Sequence, residues 1–213
     1  MNDPTHFFID FDETLFDYRA YVDWVDGQLS TEHGMPAGNF VGTMDEFHDT
    51  MDDSGLLRLR MYRHRDHVKH ATGHDWPVLK SEIELLLGQS GQHFCYPDSH
   101  EFVIAALQAG FKQVRLLTYG SDEYQRYKIS LCPIMKGLLV DVVDRPKADF
   151  LAANFGDPSI QGILVDDKAP LGLPENWQHV WLNRTGKRRP KNANCIEVRE
   201  LNLAKILQAV TAS

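Results

Sequence analysis

Apolar and polar positions follow two different patterns along this chain, and the change between them marks its organisation. An apolar run at residues 7–9, followed at once by Asp10, has the length of one buried strand. From about residue 17 to residue 91, apolar residues instead recur at steps of three and four, which predicts helices. No segment of this second region has the pattern of a strand. We therefore predict one strand followed by a long block made only of helices.

Four helices are predicted within residues 17–91. They are indicated by Tyr21, Trp24, Val25 and Leu29, by Phe40, Met44, Phe47 and Met51, by residues 56–70, and by residues 76–87. Pro77 fits the first turn of the last of these helices, where its missing N–H costs nothing. Because the block lies between the first strand and the later strands, we interpret residues 17–91 as an inserted all-helical cap domain.

Beyond residue 97, segments typical of strands and of helices alternate. The predicted helices cover residues 99–109, 121–131, 146–154 and 201–210, and the predicted strands cover residues 113–118, 138–143, 162–166 and 179–183. Such alternation implies a parallel sheet with helices on both faces and right-handed crossovers. We therefore predict an α/β fold with a doubly wound, Rossmann-like core formed by residues 1–16 and 92–213.

Composition and charge narrow the class of protein. The net charge of −8 over 213 residues argues against a nucleic-acid-binding surface, which needs a basic face. The three cysteines, Cys95, Cys132 and Cys195, are far apart in sequence, which argues against a disulfide framework and a thiolate zinc site. No basic leader or long apolar run is present, so we expect a cytoplasmic protein without a membrane span. No obligate protein partner is evident.

The carboxyl ends of the predicted strands carry a polar set. It consists of four carboxylates, one hydroxyl and one ammonium: Asp10, Asp12, Thr118, Lys147, Asp166 and Asp167. Ligands of doubly wound sheets bind at this edge, and carboxylates that lie close together need a cation or a proton between them. Oxygen ligands without His or Cys suit Mg²⁺, while a hydroxyl and an ammonium suit phosphoryl oxygens.

Four segments resemble, in order and spacing, the motifs of the haloacid dehalogenase superfamily of hydrolases. Residues 8–15 resemble the first motif, an apolar strand followed by D-x-D-x-T, and residues 116–118 resemble the second, a strand ending in Thr. Lys147 at a helix start resembles the third motif, and the acidic end of residues 163–167 resembles the fourth. The resemblance spans about residues 6–183, and one branch of the superfamily carries a helical cap between motifs one and two.

The resemblance implies a role for each matching side chain. Asp10 would be the nucleophile that forms an aspartyl-phosphate, and Asp12 would be the general acid that then acts as the base. Thr118 and Lys147 would hold the phosphoryl oxygens, and Lys147 would also offset negative charge near Asp10. A carboxylate at position 12 favours phosphoester chemistry, because the dehalogenases of the superfamily lack an acid there.

The resemblance also implies a set of metal ligands. Mg²⁺ would bind the Asp10 carboxylate, the Asp12 backbone carbonyl and Asp166, with Asp167 binding directly or through water. The cation would shield the Asp10 carboxylate from the dianionic phosphate that it must approach.

Three positions depart from the family pattern. Glu13 stands where Gly is common, Tyr119 stands where a small or amide residue is frequent, and Arg145 competes with Lys147 for the third motif. We predict a Mg²⁺-dependent phosphatase that acts on a small phosphorylated metabolite. Two alternatives stay open: a phosphomutase or phosphotransferase with the same motifs, and a non-catalytic phosphate-binding regulatory module.

Overall fold

The computed structural model divides the chain into two compact units. It describes residues 5–34, 38, 69, 72–168, 172–187 and 194–212. The first unit comprises Met1–Phe16 and Cys95–Ser213, and the second comprises Asp17–Phe94. The predicted boundaries lay after residue 16 and after residue 91, whereas the structure divides the chain after residues 16 and 94.

The first unit contains a six-stranded sheet in which every pair of neighbouring strands is parallel. The strands are β1 (His6–Ile9), β2 (Gln113–Tyr119), β3 (Leu139–Val143), β4 (Gly162–Asp166), β5 (Trp177–Leu182) and β6 (Ile196–Val198). Their order across the sheet is β3-β2-β1-β4-β5-β6. This order confirms the predicted doubly wound α/β core.

Helices follow the strands in the order that the sequence predicts. The described helices are α1 (Tyr18–His33), α2 (Trp76–Ser90), α3 (Ser99–Gln108), α4 (Asp122–Ser130), α5 (Lys147–Phe155) and α6 (Leu203–Ala212), and a short 3₁₀ helix spans Pro133–Met135. The helix predicted over residues 201–210 begins two residues later, and the strand predicted over residues 179–183 begins two residues earlier. The strand β6 was not predicted.

The strand β1 lies at the centre of the sheet and is apolar on both faces. Phe8 packs edge-on against Phe155 and Trp177, with ring centroids 5.1 Å apart in each pair. Phe7 points to the opposite face, where it stacks on Phe111 at 4.5 Å and contacts Phe102 at 6.0 Å. A strand buried on both faces carries no alternation of polar and apolar residues, which explains the continuous run in the sequence.

Both helices described in the second unit have termini that the sequence explains. Asp17 accepts a hydrogen bond from the backbone N–H of Ala20 at 2.9 Å and so caps α1. The helices α1 and α2 end at Gly34 and Gly91, whose φ angles of 62° and 65° lie in the left-handed region that glycine adopts at little cost. The predicted helix around Phe40–Met51 lies outside the described residues, as does all of the predicted helix over residues 56–70 except residue 69. Among the described helices, none is long and apolar enough to cross a membrane.

Candidate active site

Asp10 lies at the point where the order of strands reverses. The strand β1 pairs with β2 on one side and with β4 on the other, and Ile9 is in register with both Leu116 and Val165. The connection after β1 leads to β2 on one side, and the connection after β4 leads to β5 on the other side. Where connections diverge in this way, doubly wound sheets bind ligands beyond the carboxyl ends of the two strands, here β1 and β4. The backbone N–H of Asp10 still donates to the Val165 carbonyl at 2.9 Å, so the Asp10 side chain starts at the carboxyl end of β1, next to β4.

Lys147 bridges two of the predicted carboxylates. It is the first residue of α5, and its Nζ lies 2.5 Å from Oδ1 of Asp10 and 2.7 Å from Oδ2 of Asp166. Asp10 also accepts a hydrogen bond from the Thr14 hydroxyl at 3.3 Å. Arg145, the alternative for this position, is exposed. The geometry therefore places Lys147, and not Arg145, against the Asp10 carboxylate.

Three carboxylates form a group with the composition of a metal site. Oxygen atoms of Asp10, Asp166 and Asp167 all lie within 4.8 Å of one another. Oδ1 of Asp167 is buried and accepts no hydrogen bond from the described residues. A hard divalent cation such as Mg²⁺ binds oxygen ligands of this kind, so the residues present fit the predicted ion.

The electrostatics of the group agree with this fit. Burial raises the pKa of Asp10 to about 6, although the Lys147 ammonium opposes the rise. Burial, together with the charges of Asp10 and Asp166, raises the pKa of Asp167 to about 8. Burial alone would also raise the pKa of Asp166, but Lys147 and the backbone N–H of Lys168 hold it below its ordinary value. Full ionisation of the three carboxylates therefore needs more positive charge than Lys147 and Lys168 supply.

Thr118 lies at the same edge of the sheet. It is the second-to-last residue of β2 and is only 1% exposed. Because Ile9 is in register with Leu116, Thr118 lies one residue beyond the level of Asp10, and it is still paired with Val142 of β3. Its hydroxyl is thus carried by the strand next to the one that carries Asp10.

The Asp12 side chain is not a member of the three-carboxylate group, and it contacts two residues of α4. Nζ of Lys128 lies 2.5 Å from Oδ1 of Asp12, and Nε2 of Gln125 donates to Oδ2 of Asp12 at 2.9 Å. Burial lowers the pKa of Lys128, although the Asp12 carboxylate opposes this effect. Lys128 and Gln125 were not among the predicted site residues. For Lys128, the available sequence signal is its spacing of four residues from Tyr124 and one from Tyr127, which places it on a face with two aromatic residues that the structure buries.

The turn that follows Asp10 is fixed by a second set of polar contacts. The Tyr96 hydroxyl donates to Oε2 of Glu13 at 3.1 Å, and the Arg184 guanidinium lies 4.1 Å from the centre of the Tyr96 ring. Arg184 makes two hydrogen bonds to the Asp98 carboxylate, at 2.8 and 2.9 Å, and donates to the Thr14 carbonyl at 3.0 Å. The sequence did not indicate these contacts, which join the turn to the loop before α3.

Several solved structures that are similar to this chain are haloacid dehalogenases or haloacid dehalogenase-like hydrolases. The chain is similar to a haloacid dehalogenase-like hydrolase from Burkholderia xenovorans LB400, with 16% identity, a TM-score of 0.65, and 97% of this chain and 98% of that chain covered. It is also similar to the L-2-haloacid dehalogenase of Xanthobacter autotrophicus with chloropropionic acid covalently bound, at 13% identity and a TM-score of 0.61, covering 97% and 99% of the two chains. A third similar structure is the magnesium-bound HAD-hydrolase YfnB of Bacillus subtilis, at 16% identity and a TM-score of 0.58, covering 97% and 99%.

The chain therefore has the fold of the haloacid dehalogenase-like hydrolases. This confirms, for the fold, the resemblance that the four motifs indicate. No protein-family model and no curated protein sequence matches the chain.

Proposed function

We propose that this protein is a Mg²⁺-dependent phosphatase that hydrolyses a small phosphorylated metabolite through an aspartyl-phosphate. The observation that carries the proposal is the group formed by Asp10, Asp166 and Asp167 around Lys147 at the switch point of the sheet. A buried nucleophilic carboxylate beside an ammonium and a cation site is the arrangement that phosphoryl transfer requires. We place the activity in the cytoplasm, which is supported by the absence of a disulfide among Cys95, Cys132 and Cys195 in the part of the chain that the structure describes.

In the first half of the reaction, a carboxylate oxygen of Asp10 attacks phosphorus and the bond from phosphorus to the leaving oxygen breaks. A proton moves from the Asp12 carboxyl to the leaving oxygen, which departs as an alcohol. Lys147 and the Thr118 hydroxyl bind the oxygens of the transferring phosphoryl group. The products of this half are the alcohol, the phosphorylated Asp10 and an ionised Asp12.

In the second half, the Asp12 carboxylate takes a proton from a water molecule as the water oxygen attacks phosphorus. The bond between phosphorus and the Asp10 oxygen then breaks, which releases inorganic phosphate and restores the Asp10 carboxylate. Asp12 ends the cycle protonated, as it began. One acid–base residue thus serves both halves.

The carboxylates of Asp10, Asp166 and Asp167 and the backbone carbonyl of Asp12 would hold the Mg²⁺ ion. When bound, Mg²⁺ supplies positive charge that lets a carboxylate approach a dianionic phosphate. The raised pKa of Asp167 supports this assignment, because a cation would relieve the repulsion among the three carboxylates.

The dehalogenases among the similar structures suggest halide displacement as the competing reaction. Asp12 favours phosphate, because a halide leaves without a proton whereas an alkoxide needs one. The three-carboxylate group also favours phosphate, for a second reason. A cation bound there would help Asp10 to approach a dianionic phosphate, whereas a neutral carbon centre does not need this help.

The variant Asp10→Asn tests the proposal. We expect the protein to release phosphate from p-nitrophenyl phosphate only when Mg²⁺ is present, and Asp10→Asn to lower kcat by about 10³-fold or more because the nucleophile is lost. Asp157→Asn is the matched control, because Asp157 is exposed and lies before β4, at the opposite edge of the sheet. This control should keep full activity.

Two other results would replace the proposal. Release of chloride from 2-chloropropionate, without release of phosphate from any phosphoester, would show a dehalogenase. Transfer of the phosphoryl group to an added sugar phosphate or alcohol, in place of free phosphate, would show the phosphomutase or phosphotransferase alternative.

A further inference from the structure

Two residues of α4 hold the Asp12 side chain, and we propose that they are positioning residues for proton transfer. In this inference Lys128 and Gln125 orient the Asp12 carboxylate toward the leaving oxygen in the first half-reaction and toward water in the second. The inference rests on the proposed phosphatase activity and adds the means by which its general acid is aligned.

The two donors contact different oxygens of the same carboxylate. Nζ of Lys128 contacts Oδ1 of Asp12 at 2.5 Å, and Nε2 of Gln125 donates to Oδ2 at 2.9 Å. Nε2 of Gln125 also donates to the Tyr119 carbonyl at 2.6 Å, and two oxygen acceptors on one side define the orientation of the amide. A carboxylate held at both oxygens cannot rotate about its last bond without breaking a hydrogen bond.

Lys128 is enclosed so that its ammonium group stays on Asp12. The residue is 1% exposed, and its Nζ lies 4.9 Å from the centre of the Tyr124 ring and 5.9 Å from those of Phe11 and Phe16. Aromatic faces stabilise a cation, and the Asp12 and Asp10 charges also favour the ammonium form. The ammonium group is therefore directed at Asp12 by packing as well as by charge.

A structural role alone gives a poor account of this lysine. A buried ion pair pays a large desolvation cost, and an apolar side chain of similar volume usually fills such a place with equal or greater stability. The Asp12 side chain is 24% exposed while the Lys128 side chain is 2% exposed, so the pair is open to ligand only on the side of Asp12. This difference in exposure suits a general acid, Asp12, that must contact substrate, and a positioning residue, Lys128, that does not.

Orientation matters because a general acid must lie within hydrogen-bond reach of the atom that it protonates. Each oxygen of Asp12 accepts one hydrogen bond from α4 and keeps a second site, which carries the proton when Asp12 is the acid and accepts one from water when Asp12 is the base. Loss of either donor frees the carboxylate to rotate, which lowers the fraction of molecules aligned for transfer. The loss should be largest for substrates whose leaving group needs a proton most.

The test compares Lys128→Met and Gln125→Met with wild type on two aryl phosphates. With phenyl phosphate, a poor leaving group, we expect kcat to fall about 30-fold for Lys128→Met and somewhat less for Gln125→Met, within the range of general acid catalysis. With 2,4-dinitrophenyl phosphate, the rate of the first turnover should change less than about threefold, because this leaving group departs without a proton. Lys112→Met is the matched control, since Lys112 is exposed before β2, and it should leave both rates unchanged.

A double-mutant cycle with Asp12→Asn separates positioning from folding. If Lys128 acts through Asp12, Lys128→Met should have little further effect on phenyl phosphate hydrolysis once Asp12 is replaced. Equal losses with both substrates, or losses that add to that of Asp12→Asn, would overturn the inference while leaving a phosphatase.

If Lys128→Met does not fold, Gln125→Met carries the same test with a smaller change. Wild type that releases no phosphate from either ester would instead refute the proposed function, and the inference with it.

Discussion

Glu13 holds a backbone conformation that residues other than glycine rarely adopt. Its φ is 59°, in the left-handed region, and among the described residues it is the one position without glycine that has a positive φ. The backbone N–H of Glu13 donates to the Phe16 carbonyl at 2.7 Å, and its carboxylate accepts from Tyr96. Glycine, which is common at this position of the family pattern, would adopt the same turn without strain. The contacts of Glu13 therefore offset a conformational cost that its side chain creates.

Two substitutions of Glu13 separate the backbone strain at this position from the hydrogen bond with Tyr96 that offsets it. Glu13→Ala removes the contact with Tyr96 and keeps a Cβ at positive φ, so we expect it to lower the free energy of unfolding. Glu13→Gly removes the same contact but also the strain, and it should be more stable than Glu13→Ala by about 1 kcal/mol. Urea unfolding of the two variants measures the difference. Equal stability would mean that the turn carries no strain in this protein.

Residue types alone predict the Asp10, Lys147 and Asp166 cluster but not the residues behind Asp12. The cluster follows from the rule that parallel strands end at one edge, which brings residues more than 130 positions apart in sequence to one point. The contact between Lys128 and Asp12 depends instead on how far α4 is rotated about its axis. A lysine in a helix is ordinarily solvated, so its type gave no reason to place it inside.

At the scale of elements, burial determines which strands can be predicted from the sequence. The strands β1 and β4 are buried along their whole lengths and contain the continuous apolar runs at residues 7–9 and 163–165. The strand β6 has three residues, all half-buried, and includes Glu197 at the edge of the sheet. A strand so short and so polar has no periodicity to detect, so only the pairing with β5 reveals it.

The packing of β4 against β5 depends on a missing side chain. Gly162 is paired with Trp177, and a Cβ added at Gly162 would lie 2.4 Å from Cε3 of the indole. The indole is held in turn by Phe8 and Phe155. We expect Gly162→Ala to lower the free energy of unfolding by about 1–3 kcal/mol, because the indole has no room to retreat. Urea unfolding followed by tryptophan fluorescence measures this change.

Gly88 provides the matched control for that substitution. It lies within α2, and a Cβ added there would meet nothing within 4 Å. Gly88→Ala should leave stability unchanged or raise it by up to about 1 kcal/mol. A Gly162→Ala variant as stable as the Gly88→Ala variant would contradict the packing described for Trp177.

At the scale of the whole molecule, the carboxylate group makes stability depend on pH. The pKa values of Asp10 and Asp167 are raised in the folded protein to about 6 and about 8, so at these two groups the folded state binds more protons than the unfolded state between about pH 4 and about pH 8. Stability contributed by these groups is therefore present at low pH and is lost as pH rises toward 8. This trend is opposite to that of an ion-paired carboxylate such as Asp98, whose pKa is lowered by the Arg184 hydrogen bonds and related contacts despite its burial.

The variant Asp167→Asn tests this dependence. In metal-free buffer at about pH 8.5 it should be more stable than wild type, on the order of 2 kcal/mol, because it removes a buried charge. At about pH 4 the two proteins should unfold at similar temperatures. Added Mg²⁺ should raise the melting temperature of wild type more than that of the variant, because the variant has lost a ligand. Calorimetry across pH, with and without Mg²⁺, provides both comparisons.

A melting temperature that Mg²⁺ raises equally in both proteins would contradict the assignment of Asp167 to the metal site. Stability of wild type that rises between pH 4 and pH 8 relative to Asp167→Asn would contradict the sign of its pKa shift. These measurements do not depend on turnover, so they test the carboxylate group independently of the substrate.

The central claim is that Asp10 becomes phosphorylated during turnover, and acid quenching tests it most directly. The protein would be mixed with Mg²⁺ and 2,4-dinitrophenyl phosphate, quenched in acid within the first turnover, digested and analysed by mass spectrometry. We predict one phosphoryl group on the peptide that contains Asp10, labile to hydroxylamine as an acyl phosphate is, and none in Asp10→Asn. Phosphate release by wild type with no phosphoryl group on that peptide would contradict the account.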